Sequence, residues 1–230
     1  MEKKLLIHYD DVNIHQQGLA VLDDIRLDIF EGEFIYLLGK VGSGKSSLLK
    51  SMYAELPILE GEASILGYDL RKMKTKEISA LRRKLGIIFQ DFQLLIDRNV
   101  HDNLEFVLRS TGWKNRMSIE EQIVEVLEKV GMSKKGYKMP HQLSGGEQQR
   151  IAIARSLLNS PEIILADEPT GNLDPEAGND LVELLHEISH GGTTIIMATH
   201  NLTWIERYPG RIIRIKNEQL VENESESNTD

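Results

Sequence analysis

Apolar and polar positions change their spacing several times along this chain, and each change predicts a different element. Residues 3–9 and 21–29 alternate, the period of half-buried strands, with a loop expected around His15 to Gly18. Glu33-Phe34-Ile35-Tyr36-Leu37-Leu38 is an almost unbroken apolar run that enters a glycine-rich turn at 39–44. Such a run suits a strand covered on both faces. A helix should follow from Lys45 to about Ala54. Residues 62–66 read as a short strand, 76–84 as a helix and 86–89 as a buried strand.

From about 91 to 142 the pattern is helical. Ser118-Ile119-Glu120-Glu121 has capping-box spacing and predicts a helix to Val130, stopped by Gly131. After Pro140, strand and helix alternate: helix from 145, strand 162–166, helix from 175, strand 193–198, a short helix near 201–206, strand 211–215. That order predicts an α/β fold with a mostly parallel sheet covered on both faces. The core would span about 1–90 and 143–222, with 91–142 as an inserted α-helical subdomain. Residues 223–230 are acidic and rich in Ser and Asn, and predict a disordered tail.

Composition narrows the function classes. At 230 residues, 40% of them hydrophobic, the chain can bury a core as a single domain over 1–222. It has no cysteine, which excludes disulfide frameworks, thiolate nucleophiles and cysteine-ligated metals. The formal charge of -9 repels nucleic acid and anionic lipid, so no nucleic-acid partner is expected. No apolar run approaches the ~18 residues of a membrane span, and the start Met1-Glu2-Lys3-Lys4 does not resemble a secretory segment. Direct membrane insertion is therefore not expected.

The chemistry concentrates in three motifs. Gly39-Lys40-Val41-Gly42-Ser43-Gly44-Lys45-Ser46 fits the G-x-x-x-x-G-K-[ST] pattern, between a buried strand and a helix. Backbone N–H groups converging at a helix start form a fixed positive pocket for a triphosphate. Lys45 adds a point charge for the β- and γ-phosphates, and Ser46 a hydroxyl for Mg²⁺. Ile163-Ile164-Leu165-Ala166-Asp167-Glu168 is an apolar strand ending in two carboxylates, at the sheet edge where ligands gather. Asp167 is expected beside Mg²⁺, and Glu168 further out, where a general base for water is needed. Leu143-Ser144-Gly145-Gly146-Glu147-Gln148 stands at an expected helix start. Ser144 and Glu147 can form a capping box there, but two glycines in a first turn cost about 1 kcal/mol each. A close approach by an anion would offset that cost.

With this third motif the chain resembles the ATP-binding-cassette ATPases over about residues 3–222. The resemblance implies the P-loop NTPase fold of that family, with an antiparallel β portion beside the core sheet, and an ATPase with ATP and Mg²⁺ as ligands. It extends the ATP-binding set to Ser47. Gln90 matches the glutamine that bridges Mg²⁺, water and the membrane partner. Asn172 and Asp174 match the loop before the next helix, where Asp174-Pro175 would also serve as N-cap and first helical residue. His200 matches the histidine that contacts the γ-phosphate. The family usually stacks adenine on an aromatic residue after the first strand. Here Asn13-Ile14-His15-Gln16-Gln17 offers only His15 as a ring. The resemblance also implies a pair of cassettes, a homodimer or a pairing with a second cassette protein, in which Ser144, Gly145, Gly146 and Glu147 meet the nucleotide held by the other cassette.

The stretch Phe89 to Asn103 resembles the cell-division branch of the family, which carries Leu-Leu-x-Asp-Arg-x-Val-x-Asp-Asn after the glutamine. That branch pairs with an integral membrane protein at the cytoplasmic face and governs cell-wall hydrolases outside. Lipoprotein-releasing and macrolide-export cassettes are the alternative, but usually carry Pro-x-Leu-type residues where Asp97-Arg98 stand. Phe92, Leu94, Leu95 and Ile96 could be docking contacts or lobe core. A coiled-coil repair ATPase would need a far longer insertion than Ser47 to Gln142, and no guanine-reading Asn/Thr-Lys-x-Asp motif is present.

Overall fold

The computed structural model describes residues 3–222. The chain opens with a long hairpin, β1 (Leu5–Gln16) and β2 (Leu19–Phe30), followed by the central strand β3 (Phe34–Leu38) and helix α1 (Lys45–Met52). Next come β4 (Glu62–Ile65), β5 (Tyr68–Asp69), α2 (Thr75–Arg83) and β6 (Leu85–Ile88). The helical stretch holds α3 (Val100–Ser110), α4 (Arg116–Lys129) and a 3-10 turn at Pro140–Gln142. The chain continues with α5 (Gly145–Leu157), β7 (Ile163–Asp167), α6 (Pro175–His190), β8 (Thr194–Thr199), α7 (Thr203–Arg207), β9 (Arg211–Lys216) and β10 (Gln219–Glu222).

Two sheets result. A four-stranded antiparallel sheet has the order β2-β1-β4-β5, and a six-stranded sheet the order β10-β9-β3-β8-β7-β6. Within the second, β3, β6, β7, β8 and β9 run parallel and β10 is antiparallel to β9. The central strands are apolar throughout because each feeds two cores. Phe34, Tyr36 and Leu38 of β3 face α5, α6 and the helical stretch, while Ile35 and Leu37 face the antiparallel sheet and α1. Ile164 and Ala166 of β7 join the first core, Ile163 and Leu165 the second. With a side-chain period of two and both faces covered, neither set can be polar.

Several expectations need correction. The loop expected at His15 to Gly18 shrinks to the two-residue turn Gln17-Gly18, because β1 continues to Gln16 and pairs with Leu19. Both turn residues have positive φ (52° and 81°), the twist that closes a tight hairpin. The capping box expected at Ser118 is not the start of α4: Asn115 caps it, its Oδ1 accepting from the Ser118 N–H at 3.2 Å. Asn is as strong a cap as Ser, and here it stands one turn earlier. The strand β10 was not expected; it follows a second positive-φ turn at Asn217-Glu218 (49° and 66°). The expected disordered tail, residues 223–230, lies outside the described residues. Among the described residues, no helix is long and apolar enough to cross a membrane.

Candidate active site

The parallel strands deliver the polar groups to one edge. From β3 the chain turns through Gly39–Gly44 into α1, and the Ser43 N–H donates to Lys40 O at 3.1 Å. Gly44 caps α1 at φ 104°, where a Cβ would come within 2.9 Å of Leu22 Cδ2. Only glycine fits both that backbone and that gap. The Lys45 ammonium donates to Gly39 O at 2.8 Å and to Lys40 O at 3.2 Å, so the loop folds around it.

The strand β7 brings the two carboxylates to the same place. Asp167 Oδ1 is buried and accepts no hydrogen bond among the described residues. Burial holds this carboxyl above its ordinary range, opposed by a bond from the Ser46 hydroxyl and raised further by the neighbouring Glu168 charge. Glu168 lies outside the strand proper at φ 46°, fixed by its N–H bond to Ala198 O at 3.0 Å. That left-handed backbone is costly for a residue with a Cβ, and it turns the side chain back toward the loop. Glu168 Oε1 lies 3.2 Å from Lys45 Nζ, and Oε2 lies 3.0 Å from His200 Nδ1. Lys45, Ser46, Asp167, Glu168 and His200 thus form one cluster. A buried carboxylate oxygen without a donor, close to a serine hydroxyl, suits a hard divalent cation, which takes oxygen ligands.

Gln90 follows β6. Its carbonyl accepts from Asn172 Nδ2 at 2.9 Å, and a Cβ on Gly171 would approach its Nε2 to 3.1 Å. The ends of β6 and β7 are tied by Gln149, which escaped sequence reasoning. This buried amide donates to Pro169 O at 2.9 Å and Phe89 O at 3.4 Å. Its position in α5 between the polar, half-buried Gln148 and Arg150 gave no signal of its burial.

The Ser144–Glu147 segment caps α5 as the spacing predicts. Ser144 Oγ accepts from the Glu147 N–H at 3.2 Å, and Glu147 Oε2 accepts from the Ser144 N–H at 2.9 Å. The Ser144 N–H and the Lys135 ammonium, 3.0 Å away, hold the Glu147 carboxyl below its usual range. Within this chain the segment borders the Asn172 loop. A Cβ on Gly145 would have Leu173 Cδ2, Asn172 O and Phe92 Cζ as its nearest described neighbours, at 3.6, 3.8 and 3.8 Å. Asp174 Oδ1 accepts from the Glu176 and Ala177 N–H groups at 3.1 and 2.9 Å and so caps α6.

Clefts flank the phosphate loop on both sides. One of about 610 Å³ is lined by Gly39, Lys40, Ser43, His200 and Arg214 among others. The other, about 430 Å³, opens between the loop and the β1–β2 hairpin and includes Gln16, Val21 and Gly42. His15 lines neither; it pairs with Ala20, while Gln16 beside it accepts from Ser47 Oγ at 3.0 Å. Of the apolar quartet after Gln90, Leu94 packs on the core, whereas Leu95 and Ile96 are exposed. Asp97 and Arg98 are 3.8 Å apart, and the Arg98 guanidinium lies over the Phe106 ring at 4.6 Å.

The sequence profile of the ABC transporter family matches residues 22–171. The cell division ATP-binding protein FtsE of Streptococcus pneumoniae is 42% identical over 216 residues, 94% of each chain. Among solved structures, the cassette MJ0796, a dimer in a post-hydrolysis state with ADP and Pi, superposes with a TM-score of 0.83 and 31% identity. That match covers 94% of this chain and 98% of the other. CbiO1 from Clostridium perfringens, part of the ABC transporter complex CbiONQ, gives a TM-score of 0.87 at 28% identity, covering 96% and 88%.

Proposed function

This chain belongs to the ABC transporter family of ATP-binding cassettes, and from that premise we propose that it is the ATP-binding and ATP-hydrolysing subunit of an FtsE–FtsX-type membrane complex. In this reading, two copies close head to tail on ATP at the cytoplasmic face of the bacterial inner membrane. An FtsX-like integral membrane partner carries that closure outward to activate cell-wall (peptidoglycan) hydrolases in cell division. The observation that carries the division role is the 42% identity to FtsE along 94% of both chains.

The residues divide the work as follows. The loop from Gly39 to Ser47 cradles the triphosphate with its N–H groups, and Lys45 meets the terminal phosphates. Ser46, Asp167 and Gln90 would hold Mg²⁺, which when bound neutralises charge on the phosphates. Entry of the triphosphate gives Lys45 a stronger partner than Glu168 and frees that carboxylate. Glu168 then accepts a proton from the water that attacks the γ-phosphorus, and the bond to ADP breaks. His200, joined to Glu168 through Nδ1, keeps the carboxylate aimed and contacts the γ-phosphate. Ser144 to Glu147 of one copy close over the nucleotide of the other, where the start of α5 favours negative charge. The exposed Leu95 and Ile96, with the Gln90 loop behind them, supply the docking surface for the membrane partner.

Affinity purification from membranes tests the assignment. Recovery of one four-span protein with a large extracytoplasmic loop is the expected result. Recovery of an outer adaptor or export channel would make the chain a transporter ATPase instead.

A further inference from the structure

Glu168 holds a backbone that is disfavoured twice over. At φ 46° it is left-handed although it carries a Cβ, and it precedes Pro169, whose ring pushes the residue before it toward extended backbone at negative φ. Such a conformation persists only where the surroundings over-determine it. Two of the bonds that bracket Glu168 run from backbone to backbone: its N–H donates to Ala198 O and its carbonyl accepts from the Gly171 N–H, each at 3.0 Å. A third comes from a side chain of α5. Gln149 Nε2 donates to Pro169 O at 2.9 Å, and the fixed φ of proline passes that anchor to the peptide plane that follows Glu168.

The ladder between β6 and β7 ends at the pair Ile88 and Ala166, so the carbonyls of Phe89 and Pro169 lie beyond it. A carboxamide NH2 has two hydrogens, and Gln149 gives one to each of these carbonyls, reaching Phe89 O at 3.4 Å. Stability alone does not account for an amide there. Gln149 is fully buried, with Ile151, Ala152, Ile153 and Ala154 buried just after it in α5, and its Oε1 finds no donor among the described residues. An apolar side chain of the same length would avoid that orphaned acceptor. We infer that Gln149 is a positioning residue for the general base. It holds Glu168 in its strained backbone, with the carboxylate turned onto the phosphate loop, and keeps Gln90 in step on the neighbouring strand end. The inference rests on the ATPase reading above.

Gln149→Met in the full chain, which keeps the length and loses both donors, tests it. ATP affinity by calorimetry is expected to stay within about twofold, while kcat falls roughly ten- to a hundredfold, the scale of a group displaced by about 1 Å. Because the loss acts through Glu168, adding Gln149→Met to Glu168→Gln should lower single-turnover hydrolysis no further. An unchanged kcat overturns the inference. So does an equal further loss in the double variant, which a general loosening of the fold would give, and so does a loss of affinity that matches the loss of kcat. Should Gln149→Met fail to fold, Gln149→Asn decides on the same readouts, since it keeps the carboxamide but draws it back by one methylene. Failure of both to fold would make Gln149 a structural residue and overturn the inference. An unaltered chain that hydrolyses no ATP is a different result, and it overturns the ATPase reading itself.

Discussion

Lys45 and Glu168 form a 3.2 Å ion pair in which both side chains are largely withdrawn from water, at 6% and 13% exposure. A pair so placed is balanced against desolvation, and removing one partner leaves an uncompensated charge. Lys45 keeps its two carbonyl acceptors when Glu168 is neutralised, so the loop survives that change.

Glu168→Gln is therefore expected to retain ATP binding while turnover falls at least about a hundredfold, since a general base contributes 10²–10⁴. The nucleotide should accumulate in a closed dimer. Steady-state phosphate release near the unaltered rate would remove Glu168 from its role.

Lys45→Ala acts on binding itself. Loss of charged hydrogen bonds worth about 1.5–3 kcal/mol weakens ATP affinity by roughly one to two orders of magnitude. Calorimetry returning the original affinity would mean that the triphosphate does not sit on this loop.

Ser144→Arg should separate binding from assembly. The Ser144 hydroxyl caps α5 through the Glu147 N–H and takes no part in the Lys45 cluster of its own copy, so each copy still binds ATP, while the bulky cation blocks the approach of its mate. Loss of the Ser144 cap costs about 1 kcal/mol, too little to unfold α5. An ATP-dependent dimer of undiminished mass in light scattering would refute the in-trans role.

A pH dependence of stability resides in His186. The residue is 8% exposed, its ring stacked on Phe34 at 3.7 Å between centroids and 3.1 Å from Tyr36 Oη, and burial lowers its pKa to about 4. The unfolded chain protonates this histidine near 6.5, the folded chain only near 4, so between those values the unfolded state binds more protons. Stability is fully present above about pH 6.5 and falls as pH drops toward 4, by up to about 3 kcal/mol from this group. His186→Phe preserves the stack and should flatten the decline measured by urea unfolding between pH 7 and 5. An unchanged slope would assign the effect to other groups.

Much of the fold was legible because its signals are local. The all-apolar run at Phe34 to Leu38 announces a strand covered on both faces, and the glycines before Lys45 announce a backbone no other residue fits. Ser144 with Glu147, and Asp174 with Pro175, announce helix starts through bonds that span three residues. Legibility failed where two local signals competed or a strand shifted register. Asn115 and Ser118 are both good caps, and only the packing of Ile119, Ile123, Val126 and Leu127 decides which starts α4. His15 and Gln16 are neighbours on β1, but a register shift between Ile14 and His15 helps decide which of them meets α1.

The kinds of chemistry available are written in local residue order: a loop shaped for phosphates, two acids at a strand end, a capped helix with glycines in its first turn. Those follow from steric and hydrogen-bonding rules acting over a few residues. Long-range packing settles the rest: Glu168 bends back onto Lys45 and His200, and Asp167 keeps an oxygen with no donor among the described residues. These depend on parallel strands far apart in the chain ending at one edge, and the depth of burial there fixes which charges must pair.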